Sequence, residues 1–158
     1  FSKDLGSCGI SIALFENNKP IFGVVGIFPS GDIFYGGSSI GSYHNGKRIS
    51  VSNIKEKNKA IICTGFPARY NFKKENFLKQ FNKLKRYAKV RMLGSASVSL
   101  IQISKGSADV YYESDIMIWD IAAGIAILEG AGGKVKLLKG RIENCHILSA
   151  SNGKIKKI

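Results

Sequence analysis

The sequence predicts a mixed α/β fold in which an antiparallel meander joins a layer of alternating strands and helices. Three observations carry this. Residues 8–52 hold short β-branched and aromatic runs separated by turn residues. Residues 60–150 alternate such runs with helical patterns. Within the second segment, Trp119–Ala131 is apolar on nearly every helical face, and such a helix belongs inside a layered core.

The meander begins at Cys8–Phe15. Glu16-Asn17-Asn18-Lys19-Pro20 is a turn signal, and Ile21–Phe28 is the second strand. Pro29-Ser30-Gly31-Asp32 turns the chain into Ile33–Tyr35. The glycine-rich stretch 36–46 closes on Asn45-Gly46, a tight-turn dipeptide, before a short strand at Lys47–Ser52. The polar stretch 53–59 is the expected boundary, dividing 1–58 from 59–158.

In the second part, Ala60–Thr64 reads as a buried strand. Lys73–Tyr87 is an amphipathic helix, with Phe77, Leu78, Phe81 and Leu84 at helical spacing and lysines opposite. Val90–Leu93 is a short strand. Ser95–Ser104 suits either a serine-capped helix or a strand. Val110–Tyr112 is a strand, and Gly132-Gly133 stops the apolar helix. Lys134–Leu138 and His146–Ala150 are strands, and Asn152 is expected to open a last helix.

Hydrophobic residues at 44% and charged residues at 22% exclude a disordered chain. No apolar run approaches the roughly 18 residues of a membrane span, and no secretory leader is visible. Cys8, Cys63 and Cys145 are widely spaced, without metal-site spacing, so reduced thiols and a cytoplasmic location are expected. The chain starts at Phe1 rather than Met and reads as a piece of something longer. The net charge is +13, and residues 47–91 hold fourteen Lys and Arg against Glu56 and Glu75, a local +12. Such a segment attracts phosphorylated metabolites or other polyanions, or it is a solvated lysine-rich face.

Five of the eleven carboxylates fall at Asp109, Glu113, Asp115, Asp120 and Glu129. Asp120 opens the apolar helix among Trp119, Ile121, Ala122 and Ala123. It is either a helix cap or a ligand for a hard cation such as Mg²⁺, next to the anion site of a helix N-terminus. Small residues behind it allow close approach of substrate or backbone. Glu113 follows Tyr111-Tyr112 at a strand end, where α/β layers bind ligands; the bland alternative for it, and for Asp115, is a surface acid. Glu129 reads as the partner of a lysine. Gly94-Ser95-Ala96 can present backbone N–H groups to a ligand or pack closely. His44 and His146 read as structural.

Together these segments resemble the inositol monophosphatase family. Trp119-Asp120-Ile121-Ala122-Ala123-Gly124, continuing through Glu129-Gly130-Ala131-Gly132-Gly133, resembles the W-D-x-A-A-G…E-A-G-G signature. Gly23-Val24-Val25 to Pro29, the hairpin Tyr43–Ser52, Thr64-Gly65-Phe66-Pro67, Arg91–Ala96, Ala108–Glu113 and Ser149–Asn152 follow the family's order. Phe1-Ser2-Lys3 resembles the sequence after the family's D-P-x-D-G-T motif, which this sequence does not contain.

The resemblance implies a layered αβαβα sandwich of the sugar/inositol phosphatase type with an incomplete N-terminal part. Residues 1–58 would be the later half of the N-terminal α+β lobe and 59–158 the C-terminal α/β lobe. It implies Mg²⁺-dependent hydrolysis of a phosphate monoester, inositol monophosphate first. Fructose-1,6-bisphosphatase, 3′(2′),5′-bisphosphate nucleotidase and a non-catalytic polyanion-binding module are the alternatives. Asp120 would be the catalytic metal ligand; Gly94, Ser95, Ala96 and Glu113 would hold a small phosphorylated substrate. A homodimer without membrane contact is expected, and the chain alone is expected to be inactive. Nucleic acid is disfavoured, because Phe77 and Phe81 fall on the apolar face of their helix.

Overall fold

The computed structural model describes residues 8–67, 70, 72–140 and 142–156. The resemblance at Phe1-Ser2-Lys3 lies outside them. The first sheet is a meander of β1 (Cys8–Glu16), β2 (Lys19–Phe28), β3 (Asp32–Gly37), β4 (Gly41–His44) and β5 (Lys47–Ile49), antiparallel and in sequence order. Its tight turns follow from residues that tolerate positive φ: Asn17 and Asn18 sit at 48° and 61°, Asn45 and Gly46 at 47° and 81°. Positive φ at both turn positions matches the twist of the flanking strands. β4 lies in the glycine-rich stretch where no strand is predicted. Burial holds it there: Ser42 is fully buried, and its Oγ donates to the Ile127 carbonyl at 2.6 Å.

The second sheet holds β6 (Ile61–Thr64), β7 (Lys89–Arg91), β8 (Val110–Met117), β9 (Lys134–Lys139) and β10 (Cys145–Ser151), in the order β7-β6-β8-β10-β9. β6 runs parallel to β7 and β8; β10 is antiparallel to β8 and β9. The helices are α1 (Lys74–Leu84), α2 (Ala96–Ser104) and α3 (Ile118–Gly130). The stretch left open between helix and strand is therefore a helix, and Ser95 caps it by accepting from the Val98 N–H at 3.4 Å.

α2 and α3 lie between the sheets. Ile101, Ala123 and Ile127 pack on Val25 and Phe34 of the first sheet. Leu100, Ile103, Ile121, Ile125 and Leu128 pack on Cys63, Tyr111 and Leu148 of the second. This two-sided burial explains why α3 is apolar all round. The small residues of α3 serve the approach of backbone: β2 passes so near that a Cβ on Gly23 would lie 2.3 Å from the Ala123 carbonyl oxygen. α1 covers the far side of the second sheet, with Leu84 against Ala60, Ile62 and Val110. The described residues thus build four of the five expected layers. Ile10 and Ile33 face Gly26 from either side on the outer face of the first sheet, and Ile10, Ile12 and Leu14 stand 61%, 67% and 57% exposed.

Two expectations are corrected. No helix starts at Asn152 among the described residues. Its Oδ1 accepts from the Lys154 and Ile155 N–H groups, as a cap does, but Gly153 at φ 73° sends the chain out of the right-handed helical region. The apolar face of α1 is also not covered: Phe77, Leu78 and Phe81 are 44%, 45% and 53% exposed. Periodicity identifies an apolar face, not what packs on it. Residues 52–61 are fastened by Asp109, which accepts from Ser52 Oγ and from the Ile61 N–H, and by Asn152, which donates to Ser52 Oγ at 2.8 Å. Asp109 is buried and structural.

Candidate active site

β8 runs directly into α3, so the end of a strand and the start of a helix meet at Met117–Ile118. α2 starts beside them after Gly94, whose φ of 72° suits glycine. Gly9 and Ser11 of β1 form the opposite wall, and Ser11 Oγ donates to the Trp119 carbonyl at 3.2 Å. These elements enclose an open cavity of about 400 Å³. Gly94, Ser95, Glu113 and Asp120 all line it, so four of the five expected site residues converge. Ala96, the first residue of α2, does not line it.

Asp120 is the third residue of α3, and Met117 holds the N-cap position without a side-chain hydrogen bond. Asp120 is thus in the first turn, where the helix N-terminus stabilises an acid, and its carboxylate also belongs to the cavity wall. Partial burial there holds its carboxyl above the ordinary range. Glu113 sits deeper. Tyr111 Oη, two residues back on the same strand face, donates to Glu113 Oε2 at 2.5 Å. Burial raises the Glu113 pKa most; the hydrogen bond opposes this, and the Asp120 charge raises it further. Glycine at 65 leaves room for this carboxylate: a Cβ there would lie 2.5 Å from Glu113 Oε2.

The reading of Asp115 as a surface acid missed its place: it too lines the cavity, at φ 57°. A positive φ inside a strand leaves no mark in the sequence. Tyr111 was legible in principle, since alternation puts residues 111 and 113 on one face. Glu129 is not among the lining residues; burial raises its pKa, and the charge of Lys19 opposes this. His44 is structural, bonded to Asp32 Oδ1 at 2.7 Å and stacked on Phe34.

Three carboxylates thus line a cavity in which, among the described lining residues, there is no Lys, Arg or His. Hard oxygen donors of this kind suit Mg²⁺. The donor set is nevertheless short: among the described residues, no three His, Cys, Asp or Glu side chains come together as a metal site. The residues present do not complete a Mg²⁺ centre. The N-termini of α2 and α3 border the same space and favour an anion there.

A family model described as the inositol monophosphatase family matches residues 1–157. The inositol-1-monophosphatase of Synechocystis is 34% identical over 150 residues, covering 94% of this chain and 50% of that protein. A Nus factor SuhB of Xylella fastidiosa is 35% identical over 132 residues, covering 83% and 48%. The solved inositol monophosphatase of Anabaena (Nostoc) superposes with a TM-score of 0.87 at 32% identity, over 98% of this chain and 64% of that one. The chain spans about half the length of the curated relatives it matches.

Proposed function

Since the chain belongs to the inositol monophosphatase family, we propose that it supplies the substrate-binding half of a Mg²⁺-dependent phosphate monoesterase acting first on inositol monophosphate. The observation that supports this best is the convergence of Glu113, Asp115 and Asp120 on one cavity bordered by two helix N-termini. The N-terminal turns of α2 and α3 attract the phosphate, and Ser95 and the Gly94 backbone sit where its oxygens or a sugar hydroxyl would reach. Glu113, fixed by Tyr111, accepts a hydrogen bond from a substrate hydroxyl. Asp120 is the one metal-binding carboxylate that the family signature assigns to this chain. The remaining ligands come from outside the described residues, so the chain alone does not turn over substrate.

The test is Asp120→Asn in the completed enzyme, assayed with inositol 1-phosphate across a Mg²⁺ titration. Loss of turnover by about a hundredfold or more, of the order seen when a charge-stabilising group is removed, with an unchanged melting temperature supports the assignment. Near-normal turnover overturns it.

A further inference from the structure

None of the described Lys and Arg residues of the basic stretch 47–91 lines the Asp120 cavity, yet the fold gathers three of them in another place. Lys57 from the short 3₁₀ turn at Lys57–Lys59, Lys83 from the last turn of α1 and Arg86 just beyond that helix line one cavity of about 280 Å³. Ile62 and Leu84, both buried, and the rings of Tyr87 and Tyr112 complete its lining. It shares no lining residue with the Asp120 cavity. Tyr112 alternates with Tyr111 and Glu113 along β8, so it lies on the sheet face away from Glu113.

The positive charge here is positioned, not merely abundant. A lysine in the last turn of a helix ordinarily complements the helix dipole. The Lys83 Nζ is instead drawn onto the sheet, 4.6 Å from the Tyr112 ring centroid and 3.5 Å from its Oη. The Lys57 Nζ lies 5.8 Å from the Tyr87 ring centroid. Aromatic faces hold ammonium groups in place without neutralising them. No Asp or Glu is among the described residues lining the cavity, and Glu56, next to Lys57 in sequence, is bonded to Lys59 at 2.8 Å. Burial lowers the Lys57 pKa, and the Arg86 charge lowers it further. Lys83 and Tyr112 also line an adjoining open trough of about 610 Å³, where Lys134 and Lys136 of β9 continue the basic wall, again with no Asp or Glu among the described lining residues. A concave site with cations from separate elements focuses its field on a multiply charged anion, and the Arg86 fork suits phosphate oxygens.

We propose that the cavity lined by Lys57, Lys83 and Arg86 binds a small soluble molecule carrying two or more linked phosphate groups, at a site separate from the Asp120 cavity. A single-stranded nucleic acid fits it less well. Such a strand stacks its bases on aromatic faces, and here Lys83 and Lys57 lie over the faces of Tyr112 and Tyr87.

The test is calorimetric titration of the 158-residue chain, without Mg²⁺, with inorganic triphosphate, inorganic phosphate or a short single-stranded oligothymidylate. Triphosphate binds one to one and about tenfold or more tighter than phosphate, since each further hydrogen bond to a charged group adds on that scale. Lys83 and Arg86 are exposed, so substitutions there leave the core intact. Lys83→Gln and Arg86→Gln each weaken triphosphate about tenfold. Lys79→Gln, on the same helix but outside both basic cavities, changes it by less than about twofold, as expected of an exposed charge. Excess inositol 1-phosphate does not displace triphosphate. The proposal is refuted if triphosphate binds no better than phosphate, or if its binding ignores Lys83→Gln and Arg86→Gln. It is refuted equally if Lys79→Gln weakens binding as much as they do, because net charge alone would then be responsible. Displacement by inositol 1-phosphate would put triphosphate in the Asp120 cavity and overturn the separate site while leaving the proposed function standing. Tighter binding of the oligothymidylate than of triphosphate, lost in the same two variants, would make the site a nucleic-acid groove and overturn the small-molecule assignment.

Discussion

Tyr111 Oη and Glu113 Oε2 are joined by a 2.5 Å hydrogen bond along one face of β8, and this bond fixes a carboxylate in the wall of the Asp120 cavity. Tyr111 is fully buried and has no freedom to follow a moving partner. Tyr111→Phe removes the donor and leaves a largely buried carboxylate without it. The expected cost in stability is about 1–3 kcal/mol, read from denaturant unfolding. In the completed enzyme the same variant raises KM more than it lowers kcat, because Glu113 holds substrate rather than reacting.

The pH dependence follows from the same group. Glu113 has a folded pKa above its ordinary 4.5, burial being the main cause, and Asp120 lies above its ordinary 3.8 for the same reason. In that window the folded chain binds more protons than the unfolded chain. Their contribution is therefore fully favourable below the ordinary values and is lost as pH rises through the raised folded values. Melting temperatures measured upward from pH 4 should show this decline, and Glu113→Gln should flatten it. A decline of the same slope in that variant contradicts the assignment.

The two-sided packing of α3 gives a third expectation. Ile127 is fully buried against Val25 and Phe34. Ile127→Ala opens a cavity between α3 and the first sheet and should cost about 2–5 kcal/mol. A loss under 1 kcal/mol in urea unfolding would mean that the first sheet is not seated on α3 in solution.

The exposed Ile10, Ile12 and Leu14 on β1, and Phe77, Leu78 and Phe81 on α1, make the chain prone to self-association. Sedimentation velocity should show species larger than one chain, shifting toward the monomer with Ile12→Lys. A monodisperse monomer at tens of micromolar would show that these faces are inert.

Much of this arrangement is legible in the sequence, for local reasons. Asn17-Asn18 and Asn45-Gly46 specify tight turns whatever surrounds them, and the apolar run of α3 fits only a position between two layers. Asp120 and Glu113 stand out because carboxylates are few in this basic chain and sit where a strand meets a helix. The features that escaped depend on tertiary context. β4 is held by the burial of Ser42, not by propensity. Gly153 cancels a helix that Asn152 would otherwise start.

The proposed function gives this chain half of a phosphatase site. Its most direct test is to mix the purified 158-residue chain with a separate polypeptide comprising the half of a full-length relative that it does not cover, at millimolar Mg²⁺ with inositol 1-phosphate. Each component alone should release no phosphate above background. The mixture should hydrolyse the ester, and the mixture made with Asp120→Asn should not. Turnover by the chain alone, or a mixture whose activity ignores Asp120→Asn, would overturn this assignment.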